Sequence, residues 1–290
     1  MFAALRKSFS LTAEQRALFK AKRIEGRFGP DDLIAKLKPL AEFDRIGDKG
    51  RSAGCGIIAT LVLVAVVGGF LVLASDVSPV WFLGIVGTCL FFIVVVAVLN
   101  ARLSRLDDQE NYLRSVALPF LSALRQDLAD GAELDVRIDF SRIKQKSKRD
   151  RVEKPPLPKG FSKLVNTYYK NPWFEGSAPL AIGGRVHWQV TDTLLESSRT
   201  KRGSSGKWKM KTKTKKTSRL DVKLALPARR YRAVSAGDPD VAIGDRRIEV
   251  ALARKMASGE STPVLDGLID LVALAFNKVK PITANTEATP

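Results

Sequence analysis

Hydrophobic residues are concentrated in two uncharged runs, residues 57–74 (IIATLVLVAVVGGFLVLA) and 80–99 (VWFLGIVGTCLFFIVVVAVL), joined by Ser75-Asp76-Val77-Ser78-Pro79. At the helical rise these are about 27 and 30 Å long, against about 30 Å for a hydrocarbon core. Peptide groups in lipid must be satisfied internally, so the runs are expected to be helical despite their many Val and Ile residues. The pattern predicts a two-helix transmembrane hairpin within 54–100, with Pro79 starting the second helix. Lys49 and Arg51 precede the hairpin, Arg102 and Arg105 follow it, and the turn has neither Lys nor Arg. The positive-inside rule then puts both termini in the cytoplasm, as a multi-pass protein of a bacterial inner membrane. Ala65 and Gly69 in the first run, with Gly84 and Thr88 in the second, are small residues at four-residue spacing that would let the two helices approach closely.

Outside the hairpin the pattern changes period. Residues 1–53 read as a helical segment. Thr12 and Gln15 form a capping box ahead of a helix over 13–25, and a second helix follows from Asp31 to about Phe43. Residues 101–131 keep apolar residues at three- and four-residue steps and predict a helical stalk, kinked at Pro119 and stopped at Gly131. Over 132–141, Leu134, Val136, Ile138 and Phe140 alternate with polar residues, predicting a half-buried strand. Residues 144–159 hold seven basic and two acidic residues with several prolines, predicting a mobile loop. The aromatic-rich stretch 161–174 predicts a short helix and loop.

Residues 185–226 predict a long β-hairpin. Val186, Trp188 and Val190 share one parity; Leu220, Val222, Leu224 and Leu226 share another. A short connection near Gly203-Ser204-Ser205 brings both sets onto one face. Strands around 230–235 and 247–252, a helix over 263–279 and a disordered tail over 281–290 complete the chain. The fold expected is a transmembrane hairpin plus a cytoplasmic α+β domain over 132–280, built on an antiparallel sheet.

Charge sharpens this picture. The chain carries a net +18. Residues 101–290 hold 36 Lys/Arg and 22 Asp/Glu, an excess of 14. Much of it lies in 21 positions with ten basic residues and no acidic one: Arg199, Lys201, Arg202, Lys207, Lys209, Lys211, Lys213, Lys215, Lys216 and Arg219. Lys207, Lys209, Lys211, Lys213 and Lys215 alternate with Trp208, Met210, Thr212 and Thr214, so a strand puts five ammonium groups on one face. Like charges so arranged repel, and an anionic partner relieves the repulsion. Next to a bilayer the favoured partner is anionic lipid headgroups. An acidic protein or nucleic acid is the alternative, the latter less favoured because RNA-binding signatures are absent. Other membrane subunits or further copies of the chain could use the hairpin's packing face.

Catalytic chemistry is not signalled. His187 is the single histidine and falls in a predicted strand; there is no P-loop, dinucleotide fingerprint or metal-ligand cluster, and Cys55 and Cys89 form no disulfide framework. The function expected is therefore a non-enzymatic, membrane-anchored binding or scaffold protein without cofactor or metal. The alternative is an oligomeric pore or membrane effector gated by its soluble domain.

Overall fold

The computed structural model describes residues 12–73, 84, 87–98, 112–158, 160–202, 206–235, 237–257 and 262–282. The chain divides into two compact units: Met1–Ala21 with Lys38–Gln109, and Lys22–Leu37 with Glu110–Pro290.

The first unit contains helix α1 (Ala13–Ala21), the greater part of helix α2 (Pro30–Leu73) and a helical stretch over 87–98. The capping box forms as its spacing predicts. The Thr12 amide donates to Gln15 Oε1 at 3.0 Å, and the Gln15 amide donates to Thr12 Oγ1 at 3.2 Å. The helix is shorter than expected, ending at Ala21 rather than Glu25. Lys22 turns the chain at φ 53°, and the next residues join the sheet of the second unit.

The transmembrane hairpin is overturned. Among the described residues no helix is long and apolar enough to cross a membrane. The first run is not an independent segment but the far end of a 44-residue helix that starts at Pro30 with Asp31 and Asp32 in its first turn. The multi-pass inner-membrane location and the cytoplasmic placement of both termini lose their basis. Val62, Leu63, Val66 and Phe70 are exposed, as are Leu90, Phe91 and Val94. Among the described residues nothing lies within 4 Å of a Cβ built at Gly84, and Thr88 Oγ1 donates to the Gly84 carbonyl at 2.8 Å. Ala65 is half-buried; the side-chain position of Gly69, the turn 75–79 and residues 101–111 of the expected stalk lie outside the described residues.

The second unit is built on an antiparallel sheet. Its strands are β1 (Arg23–Phe28), β2 (Leu134–Asp139), β3 (Arg149–Glu153), β4 (Phe161–Pro179), β5 (Arg185–Arg202) and β6 (Trp208–Pro227). Next come β7 (Tyr231–Ala233), β8 (Val241–Ile243), β9 (Arg247–Ala257), helix α4 (Thr262–Asn277) and β10 (Val279–Pro281). Helix α3 (Leu118–Leu124) stands before β2; a π-helical turn at Leu113–Ala117 leads into it, and Pro119 sits in its first turn instead of breaking it. The main sheet runs β1-β2-β4-β5-β6-β9-β8, with β3 on β4; β10 and β7 form a separate pair.

One face of the sheet carries the core, and parity puts it there. Val186 pairs with Leu224, Trp188 with Val222 and Val190 with Leu220, all buried. Phe120 of α3 meets Phe174 and Trp188 edge-on, with ring centroids 5.7 and 5.4 Å apart. Helix α4 lies on β6 and β9, burying Val264, Leu268, Leu271 and Ala275 at helical spacing. Gly267 permits this approach, because a Cβ there would come within 2.7 Å of Met256 Sδ and 2.9 Å of Leu220 Cδ1.

Stretch 161–174 is strand, not helix and loop. Pro172 pairs with Thr191 and Phe174 with Val190, so Trp173 is an extra residue at a β-bulge, buried at 1% exposure. The bulge accommodates proline and breaks the alternation that would have betrayed the strand. The basic loop 144–159 is also more ordered than expected. Residues Arg149–Glu153 form β3. Lys148 reaches back to Asp139 Oδ2 at 3.0 Å and to the Ser141 carbonyl at 2.9 Å. Burial raises the Asp139 pKa, but hydrogen bonds from Ser141 and Lys148 outweigh it and hold the carboxyl below its usual value.

Two predictions follow from this packing. A Cβ at Gly176 would collide with the Trp188 indole and come within 2.8 Å of the Asp135 carbonyl oxygen. Gly176→Ala is therefore expected to destabilise the second unit by about 2 kcal/mol or more in urea unfolding. The Asp139 carboxylate contributes stability above its unfolded value of about pH 4, and that contribution disappears as pH falls through its lowered folded value. The stability gap between the native chain and Asp139→Asn should thus be constant near neutrality and shrink below about pH 4, as read from unfolding curves at stepped pH.

Candidate anionic-partner interface

Strands β4, β5 and β6 outrun the rest of the sheet. Strand β9 pairs with β6 from Pro227 to Thr217 and ends at Ala257. Beyond that point β6 continues from Lys216 to Trp208, paired only with β5, while β5 pairs with β4 on its other side. The result is an arm projecting from the sheet. Along its continuation of the core face stand Glu196, Ser198, Thr200, Thr212 and Thr214, then Met210 and Trp208, both exposed, so the arm buries no core of its own.

A buried polar network marks the boundary. Asp192 and Ser218 are cross-strand partners at 1% and 0% exposure. Ser218 Oγ donates to Asp192 Oδ1 at 2.6 Å, and Lys216 Nζ lies 3.1 Å from Asp192 Oδ2. Lys216 also sits 4.4 Å from the centroid of the Tyr112 ring, which stacks on Trp173 at 4.7 Å. A carboxylate this deep requires both partners, because a buried charge left alone is costly.

The strand pairing then distributes the predicted basic residues. Lys209 lies opposite Lys201 and Lys211 opposite Arg199. With Lys213 and Lys215 they place six cationic side chains on one face, the one opposite the core. Directly opposed residues have Cβ atoms about 4.5–5.5 Å apart, so like charges there repel. Among the described residues no acidic partner faces Lys201, Lys209, Lys211, Lys213 or Lys215.

The other predicted residues do different work. Lys207 is exposed just before β6, and Arg202 closes the tip by donating from Nε to the Gly206 carbonyl at 3.0 Å; residues 203–205 between them lie outside the described residues. Lys216 points to the core face and belongs to the buried network. Arg219 lies on the outer face of the sheet proper, its Nε donating to both Asp221 carboxylate oxygens at 2.9 and 3.0 Å. Sequence spacing alone could not reveal that β5 contributes Arg199 and Lys201 to the lysine face, since that depends on cross-strand register.

Toward the sheet the same face becomes a shallow concavity of about 710 Å³, lined in part by Lys170, Thr191, Thr193, Arg219, Asp221 and Lys255. His187 stands further along it. Burial lowers its pKa, the Arg185 and Lys223 charges lower it further, and Glu249 opposes them.

Removing the Asp192 carboxylate should strand Lys216. Asp192→Ala is expected to cost about 3 kcal/mol in denaturant unfolding, whereas the paired change Asp192→Leu with Lys216→Met should recover most of that loss.

Set beside known proteins, the chain matches no family model, no curated protein and no solved structure.

Proposed function

We propose that this chain is a binding protein whose basic β-arm engages an anionic partner. The observation carrying this reading is the face of Arg199, Lys201, Lys209, Lys211, Lys213 and Lys215, set by the β5–β6 register and without an acidic partner among the described residues. A polar arm without a core is a poor stability element. Gathering like charges on it costs folding free energy that binding of an anion returns. Exposed Trp208 and Met210 on the reverse face, at 62% and 73% exposure, add apolar contact area at the tip.

The concavity at the foot of the arm does not argue for catalysis. Arg219 and Asp221 neutralise each other there, and His187 stands among the charges of Arg185, Lys223 and Glu249. The reading is therefore of recognition through charge and shape, with no cofactor.

The test compares two variants of equal net charge on immobilised polyglutamate. Lys209, Lys211, Lys213 and Lys215 are changed to Gln in one; exposed Lys146, Lys154, Arg229 and Lys280 are changed to Gln in the other. The arm variant should elute at clearly lower salt and show a shallower dependence of affinity on salt than the control. Identical elution of the two would show that overall basicity alone is at work and would reject the arm as the interface.

A further inference from the structure

Strand β6 has two different edges along its length. From Thr217 to Pro227 it is paired on both sides, by β5 and β9. From Trp208 to Lys216, nine residues, only β5 pairs with it. Among the described residues no strand covers that edge, so its outward N–H and C=O groups are unpaired by the sheet. Nine residues extend about 30 Å, longer than most edge strands, and neither bulge nor proline interrupts them. An edge of this kind is a template for an added strand.

The side chains bordering the edge select what can be added. A second copy of the chain, paired antiparallel through the same edge, would set lysines against lysines, which cross-strand pairing disfavours. A strand with carboxylates at every second position would set each one against Lys209, Lys211, Lys213 or Lys215. Its intervening residues would lie beside Trp208, Met210, Thr212 and Thr214, all exposed, and there β-branched or aromatic side chains pack best. The lysines thus both repel the wrong strand and attract the complementary one.

We propose that the open edge of β6 between Trp208 and Lys216 captures an acidic peptide segment as an added β-strand, its alternate carboxylates facing the lysine row. The inference rests on the arm being the anion-binding element and narrows its partner to an extended acidic polypeptide. Main-chain hydrogen bonds supply affinity, and the two side-chain rows supply register.

The experiment uses the full chain and two synthetic probes matched in length to the open edge. One alternates Glu and Thr. The other has the same charge but carries Pro in place of two central Thr residues, which removes strand-forming N–H groups. Affinities are measured by titration at about 0.15 M salt, and amide hydrogen exchange is followed residue by residue. The alternating peptide should bind at least roughly tenfold more tightly, equivalent to about 1.4 kcal/mol, and slow exchange selectively across Trp208–Lys216. Equal affinity for both peptides, or tight binding without that protection, overturns the strand addition while leaving charge-based binding by the arm in place. Unchanged affinity of the alternating peptide for the variant with Lys209, Lys211, Lys213 and Lys215 changed to Gln removes the arm reading as well.

Discussion

The β5–β6 ladder is the constraint on which the rest of the second unit depends. Eighteen cross-strand pairs run from Arg185 opposite Ala225 to Arg202 opposite Trp208 without a slip. A shift of one residue would carry Val186, Trp188 and Val190 to the solvent face. The same shift would turn the lysine row toward the core side. Burial of Trp188, Val222 and Leu224 at one end therefore fixes where Lys209 and Lys211 point at the other, roughly 35 Å away along the strand by its rise per residue. The hydrophobic effect acting at the root orders the charges on the arm.

Between these ends sits the Asp192, Ser218 and Lys216 network. It occupies the position where the apolar pairs of the core face give way to polar ones. A fully apolar residue in place of Asp192 would bury well, but it would not discriminate between neighbouring registers. A carboxylate held by Ser218 opposite it and by Lys216 penalises a slip that would leave it an unpaired buried charge. The network thus acts as a register lock at the point where hydrophobic patterning fades and the arm continues on polar pairs alone.

The arm combines two properties that usually oppose each other. A long uncovered edge invites association, and a row of lysines discourages it. On a protective edge scattered lysines would suffice. Here they recur at every second residue from Lys209 to Lys215 and are reinforced across the strand by Arg199 and Lys201, so repulsion is concentrated on one face. That concentration is what a complementary anion would relieve. The shallow concavity beside it, with Arg219 held by Asp221, adds shape but little free charge.

How much of this was legible along the chain depended on whether a local period survived. Strand β2, the parity of the long hairpin, the capping box at Thr12 and Gln15 and the terminal helix all carry undisturbed periods, and residues at those positions do what their spacing implies. Strand β4 was hidden because Trp173 bulges beside Pro172, and β1 because an edge strand with one buried residue, Ile24, shows no alternation. The uncharged runs at 57–74 and 80–99 misled for a different reason. Hydropathy reports what a segment avoids, and among the described residues no helix is both long and apolar enough to cross a membrane. The sequence by itself determined the alternations and the clustering of ten basic residues, because side-chain period and charge are local properties. Only the tertiary structure decided that β5 adds two cations to the lysine face, that Lys216 turns inward, and that β9 stops at Ala257 to leave an edge open. Those outcomes depend on which residues stand opposite one another across strands, and chain order does not encode that distance directly.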